Sequence, residues 1–459
     1  LSDIRYNDYR LTVDGQGHTV SPDQEEMWST FSPYTIMNDR YRSSVMMAAN
    51  GGSIALNDIV FDGLKEDVTG LFLYNNTYRE NTGVKQLSVT GCTFRDFCPQ
   101  QGTQYGGAVG TATFGASHGV HCEIAVTGCT FENNRSNTGS VTYGGALYAG
   151  RDVRCVVRSS SFTGNSANTG GAAAVYSGLL DIDGSCSFSG NEASQRGGTI
   201  HDAGTVILKD LDSSNFRSGS CGQFGGAVTV ASNPDFTGRL VLDHCSIRGF
   251  TAGNAGGGVY VYSGSELYLY GGSSVTGNTN QENIDNQQVS YASNIHTASS
   301  SARVYAGGVT GETGISTSNP TEHKVLVYSA EQSAVSGLNE AIRSLGGTQS
   351  YGTYSMNDSF TEEDFGRITY DSEVYLLVQD QEMPDNMWLE TAAGSYIFWD
   401  LNVPGIASPA ATAGVAGSRV NAPQVSAELT SQNVVYRFKG WYTEASGGEK
   451  ITSGVYPQA

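Results

Sequence analysis

Basic residues are scarce: 25 Lys and Arg stand against 45 Asp and Glu, charged residues make up only 15% of the 459, and the net charge is −20. Such a surface repels nucleic acid and anionic lipid, which excludes the partners that a basic patch attracts. Acidity is compatible with calcium, the one cofactor left open; no other is expected. No apolar run approaches the roughly 18 to 20 residues that cross a bilayer, so no membrane insertion by this chain is expected. None of the eight cysteines lies in a Cys-x-x-Cys pair, the usual sign of zinc or a redox dithiol. A serine nucleophile elbow, a phosphate loop and a dinucleotide fingerprint are missing as well. The chain opens at Leu1 with neither Met nor a basic-then-apolar leader, so a processed or trimmed chain that has lost its targeting and anchoring ends is expected.

What the chain has instead is 59 Gly, 25 Tyr and a phrase that recurs over its first two-thirds. Gly144-Gly145-Ala146-Leu147-Tyr148 leads through Cys155 to Phe162-Thr163-Gly164-Asn165, and Gly170-Gly171-Ala172 leads through Cys186 to Phe188-Ser189-Gly190-Asn191. Gly-Gly pairs start at 106, 144, 170, 197, 225 and 256, spacings of 38, 26, 27, 28 and 31. A near-constant period marks a solenoid whose coils bury one face against the next, and about 27 residues suits three short strands with their turns. At about 4.8 Å per coil, nine or ten coils make a rod on the order of 45 Å long. Two residues before the strand-ending aromatic or apolar residue stand Cys92, Cys129, Ser160, Cys186, Ser214, Cys245 and Ser273, an interchange that fits an inner stack of small side chains. Buried thiols are expected there, with some disulfides as the alternative; free thiols on an extracellular protein imply a reducing or anoxic habitat. Asn134, Asn165, Asn191 and Asn278 close the phrase, but the Asn is missing after Phe94, Phe216 and Ile247, so no continuous asparagine ladder is expected.

Strand alternation puts the fourth residue of each Gly-Gly phrase (Leu147, Val259) inside and the fifth (Tyr148, His201, Thr229, Tyr260) in solvent. Tyr148, Tyr260, Tyr262, Tyr268 and Tyr270 are therefore the candidate ligand-binding residues, with Tyr105 and Tyr143 before Gly-Gly pairs; packing between coils is the competing role. Tyr rings offer contact area and a hydroxyl, which suits glycans and protein surfaces. Asp181 with Asp183, and Asp210 with Asp212, share strand faces that suit a cation, although solvated turn carboxylates are the plainer reading; Asp243 neighbours His244. Asp202 stands where other coils place Ala149, Val175, Val230 and Val261, so either the register changes there, the favoured reading, or a carboxylate is held inside. His118 and His121 lack two further ligands nearby, so neither a metal site nor a catalytic residue is assigned.

The Gly-Gly-Ala and Phe-x-x-Asn phrases resemble the repeat of polymorphic-outer-membrane-protein and adhesin-type right-handed parallel β-helices, and Leu11–Val20 resembles the opening coil of the wider pectin-lyase-like superfamily. The expected fold is all-β: a first coil and cap over 1–50, a β-helix over 51–320, a transition segment over 321–392 that covers the open solenoid end, and a last module over 393–459. Residues 21–45 read as an inserted loop or cap, Ala334–Leu345 as a helix and Ser359–Asp364 as a helix start. Phe438-Lys439-Gly440-Trp441-Tyr442-Thr443 with Gly447-Gly448 resembles the Listeria–Bacteroides repeat, an internalin-type B repeat with a β-grasp-like fold, common on Gram-positive surface proteins. These resemblances imply an extracellular, cell-wall-associated adhesin that meets a host or neighbouring-cell glycan or surface protein. A pectin-lyase-like polysaccharide-degrading enzyme is the runner-up and a purely structural spacer the third reading. The lyases need a calcium carboxylate cluster with a basic residue and the hydrolases paired Asp; the Asp-Asp and Gly-His-Gly phrases of the hydrolases are absent.

Overall fold

Both glycines of each doublet have a steric reason. The first takes positive φ, 69° at Gly144 and 71° at Gly170, where a side chain strains the backbone. The second lies so close to the neighbouring coil that a Cβ on Gly145 would stand 2.1 Å from the Gly171 carbonyl oxygen. The corner therefore recurs in every coil that carries the pair.

The computed structural model describes residues 10–22, 44–49, 53–76, 85–99, 103–114, 122–136, 141–284, 287–320, 322–371, 375–380 and 382–391, then 394–397, 399–403, 406, 412–415, 419–420, 423, 425–431, 434–442, 450 and 454–455. Parallel strands stack in three sheets, making the fold an all-β parallel β-helix. The first sheet is the largest, with 24 strands, and has two arms in most coils. One arm includes Val109–Phe114, Leu147–Ala149 and Val228–Val230; the other includes Cys122–Thr127, Val153–Arg158 and Arg239–Asp243. The arms merge in the ten-residue strands Ala173–Ile182 and Ile200–Lys209. A second sheet runs from Thr19–Val20 to Phe216–Arg217, and a third from Thr103–Tyr105 to Gln287–Ala292. Three sheets agree with the repeat length. The apolar run after Gly52 makes two strands, Ser53–Asn57 and Val60–Asp62, because Asp58 turns the corner at φ 51°.

Inside, identical residues stack. Phe61, Phe94, Phe131, Phe162 and Phe188 lie ring on ring at centroid distances of 4.8, 5.1, 4.6 and 4.8 Å, the spacing of the coils themselves. Asn134 donates from N and Nδ2 to Asn165 Oδ1 at 3.1 and 2.9 Å, and Asn165 does the same to Asn191 at 3.1 and 3.0 Å. The ladder then breaks, as expected, at Gly219 and Phe250. It resumes with Asn278 on Asn294 Oδ1 and ends on Asp371, whose carboxylate accepts from Asn294 N and Nδ2 at 2.7 Å each. None of the eight cysteines lies in a disulfide, and seven of them are buried. Cys92, Cys129, Ser160, Cys186 and Cys245 occupy the expected stack, but Ser214 is exposed: Asp212–Asn215 bulges out as a turn and Leu211 fills the inner place.

The helix α1 (Gln332–Ser344) buries Val335, Leu338, Ala341 and Ile342, one stripe at helical spacing, and ends at Gly346 with φ 73°. Within the segment expected to cover the solenoid's end, α1 lies along a side, against Leu179, Ile207, Val241, Tyr268 and Tyr270. Strands Val325–Ser329 and Ile368–Tyr370 of the same segment pair with the last strands of the first sheet, Arg303–Ala306 and Thr313–Thr317. Thr361 caps the short helix Glu362–Gly366 through a reciprocal box with Asp364, as the sequence signals.

The chain divides into two compact units, Leu1–Asp371 with Gln379–Trp388, and Ser372–Val378 with Leu389–Ala459. The described residues of the second include three antiparallel pairs, among them Glu428–Ser431 with Val434–Arg437. Its centre holds Trp399 against Trp441 at 4.8 Å, with Phe438 5.1 Å from Trp441 and the Trp441 indole donating to the Pro423 carbonyl at 3.0 Å. The inserted segment around Trp28 lies outside the described residues.

Candidate functional site

Two columns of side chains meet at the Gly-Gly corner. From the third sheet come the residues just before each doublet, aligned in register as Tyr105, Tyr143, Thr169, Arg196 and Phe224. From the first sheet come Tyr148, Ala174, His201, Thr229, Tyr260 and His296. Tyr148 packs against Tyr105 at 4.8 Å and Tyr143 at 6.3 Å; Tyr260 packs against Phe224 at 4.6 Å, Tyr262 at 4.7 Å and His296 at 5.3 Å. Tyr143 reaches His201 at 6.5 Å across the small coil of Thr169 and Ala174, and the Arg196 guanidinium sits 5.2 Å above the Tyr262 ring. The result is one aromatic seam along the corner.

The seam corrects the expectation of solvent exposure. Tyr148 and Tyr260 each retain 6% of their surface, His201 4% and Thr229 none, because each leaves the core only to be covered by the neighbouring column. Tyr262 is half-buried. Tyr268 is fully buried and Tyr270 nearly so, both beneath the 330–354 segment: the Tyr268 hydroxyl donates to Glu266 Oε2 at 2.9 Å and Ala334 O at 3.2 Å, and the Tyr270 hydroxyl to Gly352 O at 3.0 Å. The structure thus brings Tyr148, Tyr260 and Tyr262 to one seam and takes Tyr268 and Tyr270 away from it. What the seam offers at its surface is Tyr176, 37% exposed, the half-buried Tyr105, Tyr143 and Tyr262, and Arg196. Arg196 has no carboxylate partner among the described residues. Sequence reasoning noted Tyr105 and Tyr143 before their doublets; Arg196 and Phe224 hold the same place and were legible by the same rule.

Burial sets the protonation along the seam. It lowers His201 to about 3, with the Arg196 charge adding to the effect, and His296 to about 4, so both rings are neutral. His296 bridges Ser316 and Ser318 at 2.9 Å each. Burial raises the hydroxyls of Tyr143, Tyr260 and Tyr262 above the ordinary tyrosine value, so they remain protonated donors.

The candidate carboxylates have internal partners. Arg158 sits between Asp181 and Asp183 at 3.0 Å from each, and Gln349 also bonds Asp181. Asp210 and Asp212 do not share a strand face: the strand ends at Lys209, Asp210 turns at φ 55°, and Asp212 accepts from Ser214 N and Oγ at 2.7 and 2.5 Å. Asp243 pairs with His244 at 2.8 Å. Asp202 stands in register between Val175 and Val230 and is wholly buried, so the carboxylate is held inside. The register shift lies beside it, at Ser177-Gly178 opposite Gly204. Among the described residues no three His, Cys, Asp or Glu side chains cluster to hold a metal; His118 and His121 lie outside them. No helix among the described residues is long and apolar enough to cross a membrane. No known family model matches the chain, and neither a curated protein nor a solved structure matches it.

Proposed function

We propose that this protein is an adhesin-like binding rod displayed at a bacterial cell surface, and that its ligand is a glycan or surface protein of a host or neighbouring cell. One observation carries the reading: the corner seam, where Tyr176, Tyr143, Tyr262 and Arg196, which has no carboxylate partner among the described residues, present hydroxyls, ring edges and one cation on a rigid, stacked backbone. Aromatic and Arg side chains of this kind carry most of the energy at recognition surfaces. The candidate carboxylates, by contrast, serve Arg158, turns and the interior, which favours display over polysaccharide cleavage. The relation to adhesin-type repeats of the pectin-lyase-like superfamily rests on the Gly-Gly-Ala and Phe-x-x-Asn phrases, and the stalk role of the last module on its resemblance to a Gram-positive B repeat. Screening the full chain against a glycan array and an extracellular-matrix panel tests the reading. A ligand is expected whose affinity falls about tenfold in Arg196→Ala and Tyr176→Ala. Turnover of an acidic polysaccharide in the presence of calcium, or binding indifferent to both substitutions, overturns it.

A further inference from the structure

We propose that Cys92 and Cys129 are a modification site, closing to a disulfide that clamps two consecutive coils when the chain folds in the presence of a disulfide-bearing oxidant. The register places them one above the other. Each follows a glycine of positive φ, Gly91 at 62° and Gly128 at 64°, and each precedes a threonine of the second sheet, where Thr93 lies opposite Thr130. Hydrogen bonds fix the step on both sides, from Gly91 N to Thr127 O at 2.9 Å and from Thr130 N to Cys92 O at 2.9 Å. The two Cα atoms are therefore one coil apart, about 4.8 Å, inside the roughly 4.4 to 6.8 Å that a disulfide spans. Each residue keeps 1% of its surface, and Cys129 Sγ leans toward the coil of Cys92, 3.4 Å from the Val89 carbonyl oxygen.

No other pair of the buried cysteines is stacked in this way. Cys122 and Cys155 lie in consecutive coils but out of register: Cys122 is opposite Val153 and Ile124 opposite Cys155, which sets their Cα atoms roughly 8 Å apart, beyond bridging distance. On its far side Cys129 meets Ser160, whose Oγ accepts from Cys129 N at 3.1 Å; Cys245 meets Ser273 in the same way at 2.9 Å, and Cys221 lies between Ala193 and Ala252. The two stacked thiols also differ in acidity. Hydrogen bonding to Cys129 lowers Cys92 from the ordinary thiol value, while hydrogen bonding to Cys92 and burial raise Cys129, so Cys92 gives up its proton first.

That order assigns the roles. The Cys92 thiolate attacks a small disulfide such as oxidised glutathione, forming a mixed disulfide and releasing one small thiolate, which takes up the Cys92 proton. Cys129, deprotonated in turn, attacks Cys92 Sγ, closes the cross-coil bond and releases the second small thiol. Two protein thiols are oxidised and one small disulfide is reduced to two thiols. Because both sulfurs are buried in the finished coil, closure belongs to the folding chain.

Refolding of the full chain from denaturant in a mixture of reduced and oxidised glutathione, against refolding in dithiothreitol, tests the proposal. The first sample is expected to be lighter by two hydrogens, to yield on unreduced digestion a fragment that joins Cys92 to Cys129, and to unfold at higher denaturant, its folding equilibrium shifted on the order of a hundredfold. Cys129→Ser, which copies Ser160 of the next coil, and Cys92→Ser as the second variant remove both the link and the shift. Cys122→Ser leaves the link in place. A chain that refolds in glutathione with every thiol still open to alkylation, a link between another pair in place of this one, or a Cys92 to Cys129 link that lowers the denaturation midpoint overturns it.

Discussion

Asp202 is a side chain that the fold accommodates at a cost. It occupies a column that also holds Ala149, Val175, Val230, Val261 and Thr297; its Oδ1 accepts from Gly204 N at 2.8 Å, while Oδ2 meets no donor among the described residues. Burial raises its pKa well above the carboxylate range, opposed by the Gly204 N–H and the Arg239 charge. Above pH 4 the folded state therefore holds a proton that the unfolded state has released. Linkage then gives the sign: stability is greatest below the unfolded value near pH 3.9 and falls by about 1.4 kcal/mol per pH unit as pH rises toward the folded value. Asp202→Asn is expected to leave the thermal midpoint at pH 4 nearly unchanged and to raise it at pH 7, which calorimetry at the two pH values checks. The anomaly was legible in the sequence as an acid where other coils place Ala or Val. Its resolution was not, because it depends on where Ser177 and Gly178 of the neighbouring coil absorb the extra residue.

Elements repeat because backbone geometry repeats. The doublets predicted the corners, and the reason proves double: positive φ at the first glycine and a carbonyl of the next coil against the second. At Gly171 a Cβ would stand 2.1 Å from Gly198 O and 2.5 Å from Glu192 O, whereas at Gly352 it would meet nothing within 4 Å. Gly171→Ala is accordingly expected to destabilise the first unit by about 3 kcal/mol or more, and Gly352→Ala to change little, in denaturant titrations followed by circular dichroism. The asparagine ladder was readable as far as the phrase was regular. Gly219 and Phe250 announce the break, but the last rungs come from Asn294, only 16 residues beyond Asn278, and from Asp371, 77 residues further, which no fixed period locates. The same holds for α1: its apolar stripe was visible, while the face it covers, including Tyr268 and Tyr270, belongs to strands more than sixty residues earlier.

At the scale of the molecule, charge and stacking oppose each other. A chain with a net charge of −20 repels itself in the compact state, while its coils gain from repeated Phe and Asn contacts. Screening should relieve the first without touching the second: the thermal midpoint of the first unit is expected to rise as NaCl increases from about 50 to 300 mM. A fall would mean that ion pairs such as Arg158 with Asp181 and Asp183 contribute more than the net repulsion. The coiled architecture, its three strands per coil and the inner stack of small side chains were already written in the order of the residues, because a period of about 27 residues repeats the same local backbone at every turn. Which tyrosines reach solvent and which acids are spent on partners emerged only with the folded arrangement. Those outcomes depend on what a neighbouring coil or a distant segment lays over each residue, and no local pattern encodes that.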